Sequence, residues 1–161
     1  MESGWGDFLV AAAGATAALA GLVFVALSIN LTRILELPGV PRRAGEAIIL
    51  LASGLVGSLT ALVPGQGSAR LGLWLLLLWL PTWLVPTYAQ IRAFFRRQYY
   101  RAAQETLRFV LYQAATLPLL LAALSLRGHL AGGLSWFAAS LLISLMVSLF
   151  NAWILLVEIL R

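Results

Sequence analysis

Apolar runs, each at least about 20 residues long, fill this sequence from end to end, and they decide most of what the chain can become. Five such runs cover residues 8–31, 44–63, 71–91, 107–126 and 133–159 in approximate bounds. Short punctuation separates them: Pro38-Gly39-Val40-Pro41, Pro64-Gly65-Gln66-Gly67-Ser68, the arginine-rich residues 92–108, and Arg127-Gly128-His129. At a helical rise of about 1.5 Å per residue, each run is long enough to cross the hydrocarbon core of a bilayer. Lipid offers no partner to backbone N–H and C=O groups, so spans of this kind must be helices. The expected fold is all-α: one integral membrane domain over residues 1–161, built as a bundle of five transmembrane helices.

Composition enters as the reason no soluble alternative survives. Of 161 residues, 61% are hydrophobic and only 11% charged, with a mean hydropathy of +0.93. That leaves too little polar surface to coat a water-soluble globule, which excludes a secreted domain, a disordered tail and a soluble enzyme. The absence of cysteine removes disulfides, thiolate metal sites and a cysteine nucleophile. The segment before the first run carries Glu2 and Asp7 and no base, unlike a cleaved signal peptide, so the first run is expected to persist in the mature protein.

All 11 basic residues are arginine, and their distribution predicts orientation. Arg33, Arg42, Arg43, Arg92, Arg96, Arg97, Arg101, Arg108 and Arg161 fall on one side of a five-span topology, while Arg70 and Arg127 fall on the other. Positive residues resist translocation, so the rich side is read as cytoplasmic, the N-terminus as outside and the C-terminus as inside. Trp136 and Trp153 lie about 26 Å apart along a helix, a spacing that suits two interface anchors of the last span. Trp5 and Trp74 suit the outer interface. Within residues 92–108, Phe94, Phe95, Tyr99 and Tyr100 alternate with Arg92, Arg96, Arg97 and Arg101. This reads as an interfacial segment that grips lipid phosphates or docks a cytoplasmic partner, and not as a nucleic-acid surface.

Two faces carry small residues. The first helix places Gly14, Ala18, Gly21 and Ser28 on one narrow face, and the second places Gly54 and Gly57 among Ser53, Ser58 and Ala61. Apolar side chains do not drive helices together in lipid, so faces that let backbones approach are the natural packing surfaces, within the chain or toward a partner. Prolines interrupt the third helix at Pro81 and Pro86 and the fourth at Pro118, each deleting a backbone donor.

The last helix is striped: Ser140, Ser144, Ser148, Asn151 and Glu158 fall within about 80° of one another at 100° per residue. Such a stripe either hydrogen-bonds to neighbouring helices or lines a wet path. Asn30, Glu46, Gln90, Gln113, Asn151 and Glu158 also lie toward the arginine-rich side, and Ser53 extends the Glu46 stripe along the second helix. A carboxylate at Glu46 has a bland reading as a first-turn acid four residues after Arg42 and a functional one as an ionisable intramembrane group. Together these residues form the candidate polar path or cluster. Catalytic chemistry finds no support: His129 is the sole histidine, the acids are scattered, no serine has a base at its depth, and neither a metal set nor a cofactor motif is present.

The string Gly21-Leu-Val-Phe-Val-Ala-Leu-Ser-Ile-Asn30-Leu with Arg33-Ile-Leu resembles a family of short bacterial inner-membrane proteins of uncharacterised function. Arg43-Ala-Gly-Glu46, Leu62-Val-Pro64-Gly65-Gln66, Asn151-Ala-Trp153 and Leu156-Val-Glu158-Ile-Leu carry the same likeness. Members are at times labelled modulators of the FtsH protease. The resemblance implies a bacterial cytoplasmic membrane and interest in Asn30, Glu46, Gln66, Asn151 and Glu158, and it supplies no chemistry. The expected function is a non-enzymatic scaffold, accessory or regulatory subunit of a membrane assembly, in contact with lipid and with copies of itself or another membrane protein. The alternative is a small oligomeric channel or transporter along the second and fifth spans.

Overall fold

The computed structural model describes residues 3–36, 39–96 and 102–160, with the backbone alone at residues 3, 94–96, 102–104 and 155–160. Every regular element among the described residues is a helix: α1 Ser3–Ile29, α2 Leu31–Glu36, α3 Val40–Leu62, α4 Ser68–Arg96, α5 Ala102–Leu126 and α6 Leu134–Leu160. All but α2 are long and apolar enough to cross a membrane.

The boundaries follow local chemistry. The first apolar run breaks at Asn30, which the hydropathy reading had placed inside a continuous helix. There the Asn30 amide turns back to donate to the Ala26 carbonyl at 3.0 Å, satisfying one of the acceptors left open at a helix end. The Asn30 carbonyl in turn accepts from Ile34 N–H at 2.9 Å and starts α2. Gly39 stands before α3 at φ 91°, a conformation that costs glycine little, and Pro41 sits in the first turn where no intrahelical N–H is needed. Pro64 stops α3. At the far end of α5, Gly128 adopts φ 87° while its N–H bonds to Ser125 O and His129 N–H bonds to Leu124 O, the paired closure of a Schellman motif.

The arginine-rich residues 92–108 differ most from expectation. Read as a loop, they are helical over most of their length, because α4 continues to Arg96 and α5 begins at Ala102. Arginine is a good helix former, and charge alone does not end a helix where its apolar run ends. Arg92 is exposed on α4; Arg96 is placed by its backbone alone, and Arg97 and Arg101 lie outside the described residues.

Two compact units divide the chain: Met1–Gly65 with Ser144–Arg161, and Gln66–Ile143. In the first, α1 packs against α3, and Ile34, Val40 and Ala44 form a small cluster with Leu27 beside it. Its buried residues include Leu9, Ala12, Ala13 and Thr16 on α1, and Ala47, Leu50, Gly54, Gly57, Ser58 and Ala61 on α3. In the second, α4 packs antiparallel to α5, and the two backbones come close at Gly72. A Cβ at Gly72 would stand 2.7 Å from the Ala123 carbonyl oxygen, closer than any real contact allows. Ser125 closes the α5–α6 turn by donating to Leu130 O at 2.9 Å and accepting from Gly133 N–H at 2.6 Å.

Candidate functional site

The residues of the candidate polar path divide between the two units. Asn30, Glu46, Ser53, Ser144, Ser148 and Asn151 belong to the first, and Gln90, Gln113 and Ser140 to the second. Glu158 lies on α6 with its backbone alone described.

In the first unit, Glu46 is 3% exposed, and its carboxylate stands 3.8 Å from Arg42 Nε one helical turn earlier. The i, i+4 spacing that suggested this pair in the sequence brings it about in space, although the separation makes it a loose ion pair. The neighbouring carbonyl, Ala47 O, lies 3.4 Å from Ser148 Oγ of α6, so the stripe on α6 meets α3 next to Glu46. Ser144 and Asn151 are buried along the same stripe. Ser53 donates to Leu50 O of its own helix at 2.8 Å, and Thr16 turns back to Ala12 O and Ala13 O in the same manner. Hydroxyls of this unit therefore discharge their donors mostly within their own helices, as serine and threonine do where no partner is needed.

The second unit behaves differently. Ser140 on α6 donates to Ala115 O of α5 at 2.7 Å. Gln113 on α5 accepts from Trp83 Nε1 at 2.7 Å and donates to Thr87 Oγ1 at 3.1 Å, both on α4. Tyr112, 1% exposed, donates its hydroxyl to the Thr82 carbonyl at 2.6 Å. Trp79 stacks on Trp83 with ring centroids 5.3 Å apart. Gln90 is buried one turn beyond Thr87. Glu105 and Arg108 pair on α5 at 3.3 Å, both about nine-tenths buried.

Sequence reading singled out Gln113 and Ser140 but missed Tyr112, Trp83, Thr87 and Gly72. A signal for Tyr112 was present: Pro86 deletes the N–H that would have bonded the carbonyl four residues earlier, at Thr82, and some donor had to replace it. Ser68 and Gly72 have small-xxx-small spacing, but Leu76 ends the repeat after a single step.

The packing residues separate by helix. Gly54 and Gly57 are buried on α3, whereas Gly14, Ala18, Gly21 and Ser28 are exposed on α1. A Cβ added at Gly14 or Gly21 would meet nothing within 4 Å. Among the described residues no group of three or more His, Cys, Asp or Glu side chains is placed to hold a metal ion. No protein-family model matches the chain, and no curated protein or solved structure is similar to it.

Proposed function

We propose that this chain is a non-enzymatic multi-pass membrane protein that works as a scaffold or accessory subunit of a membrane assembly, docking through α1. The observation that carries this reading is the exposed small-residue face Gly14, Ala18, Gly21 and Ser28, which lies apart from the Leu9, Ala12, Ala13 and Thr16 that α1 buries within its unit and has room for a neighbouring backbone at Gly14 and Gly21. In lipid, faces of this kind let helices approach closely enough for van der Waals contact to hold them. The arginine distribution and the resemblance of the sequence support a bacterial cytoplasmic membrane with the N-terminus outside. The exposed Arg92 and the basic residues that follow would face cytoplasmic lipid headgroups or a partner.

The bonding of Ser140, Ser148, Ser53 and Gln113 supports glue between and within helices over a conducting path. The rival channel reading keeps one specific support, the buried Glu46 carboxylate beside Ser148 and the buried Asn151. A conducting path would lose ion flux in reconstituted vesicles with Glu46→Gln or Asn151→Leu. The scaffold reading expects wild-type flux from both.

Because the chain has no cysteine, one introduced thiol tests the docking face directly. Ala18→Cys in native membranes should give a cross-linked adduct with a second copy or another membrane protein, and a thiol at exposed Met146 should give none. Equal labelling with no adduct at Ala18 would overturn the proposal.

A further inference from the structure

We propose that Tyr112 and Gln113 form a latch across a hinge in α4, and that this latch holds the basic end of the helix in place. The hinge is a consequence of Pro86. Proline has no N–H to donate, so the Thr82 carbonyl loses its intrahelical partner, and in a membrane span that acceptor needs another donor. Tyr112 supplies it with a buried hydroxyl at 2.6 Å.

The next residue completes the arrangement. Gln113 bonds Trp83, three residues before Pro86, and Thr87, one residue after it. Two consecutive residues of α5 thus hold α4 on both sides of its break. The residues beyond the break include exposed Arg92 and lead to Arg96, so release of the latch frees the end that carries the positive charge. On the far face of the same stretch, Leu84, Val85 and Tyr88 are exposed, and the anchoring falls to the side facing α5. Pro81 opens a second gap at the Leu77 carbonyl, but Leu77 is itself on the exposed side, which leaves Pro86 as the break that α5 controls.

Paired spin labels at Arg92→Cys and Leu107→Cys, both exposed positions in a chain with no native cysteine, read the separation of the α4 end from α5. A narrow distance distribution is expected with the native latch. Tyr112→Phe should raise the population of a displaced end about tenfold, the effect of leaving one buried carbonyl unpaired. Pro86→Ala restores an N–H to the Thr82 carbonyl, so the double variant Pro86→Ala/Tyr112→Phe should return to the narrow distribution. A Tyr112→Phe distribution identical to the wild type would overturn the proposal, as would a displacement that Pro86→Ala does not reverse. If Tyr112→Phe alone does not fold, the double variant decides: a folded, narrow distribution supports the latch, and failure to fold contradicts it.

Discussion

The α1–α3 pair and the α4–α5 pair hold two helices together by different means. Between α1 and α3 the buried surface is rich in Ala, Gly and Ser, and the hydroxyls of Thr16 and Ser53 bond to carbonyls of their own helices. Between α4 and α5, Tyr112, Gln113, Trp83 and Thr87 reach across the interface, and the backbones approach closely at Gly72. The difference traces to proline. A continuous helix satisfies its own carbonyls, so its neighbour needs only shape. A helix that carries Pro81 and Pro86 inside it lacks two N–H donors and leaves carbonyls that a neighbour can meet.

This contrast breaks most sharply at glycine. Gly72→Leu should cost about 2 kcal/mol or more, because its Cβ meets backbone that cannot yield, whereas Gly14→Leu and Gly21→Leu should leave unfolding in mild detergent unchanged. Comparable losses at all three positions would erase the distinction. Next in size, Tyr112→Phe should destabilise by about 1 kcal/mol, and Gln113→Leu by a similar amount because it strands the Trp83 indole N–H. Ser53→Ala should shift stability by less than about 0.5 kcal/mol, since the same helix keeps its backbone bonds. The smallest effect, with a sign of its own, belongs to Ser58. Its buried hydroxyl makes no hydrogen bond to any of the described residues, so Ser58→Ala should be neutral or slightly stabilising in the same unfolding measurement in mild detergent.

Much of this was legible in the sequence because long apolar runs leave few alternatives to a helix. Length and apolarity set the five long helices, and the stripe of Ser140, Ser144, Ser148 and Asn151 follows from helical periodicity alone; all four are buried. The misplaced boundaries share one cause. Hydropathy reports where an apolar run ends, not where the helix ends, so α4 outran its apolar run to Arg96, and α1 stopped inside its run at Asn30. The small-residue pattern was visible on α1 and α3 alike, but periodicity carries no information about which face meets a neighbour of the same chain. Gly54 and Gly57 are buried while Gly14 and Gly21 are exposed. Tyr112 escaped notice because its role depends on a proline 26 positions earlier, a relation that no local window contains.

The claim that α1 offers its small-residue face to another membrane protein is most directly tested by native mass spectrometry of protein extracted gently from its own membrane, wild type beside Gly14→Leu/Gly21→Leu. The account predicts an assembly for the wild type, either copies of the chain or the chain with a partner, and a folded monomer for the double variant. A wild type that is monomeric and alone, or a double variant that keeps the same assembly, would contradict it.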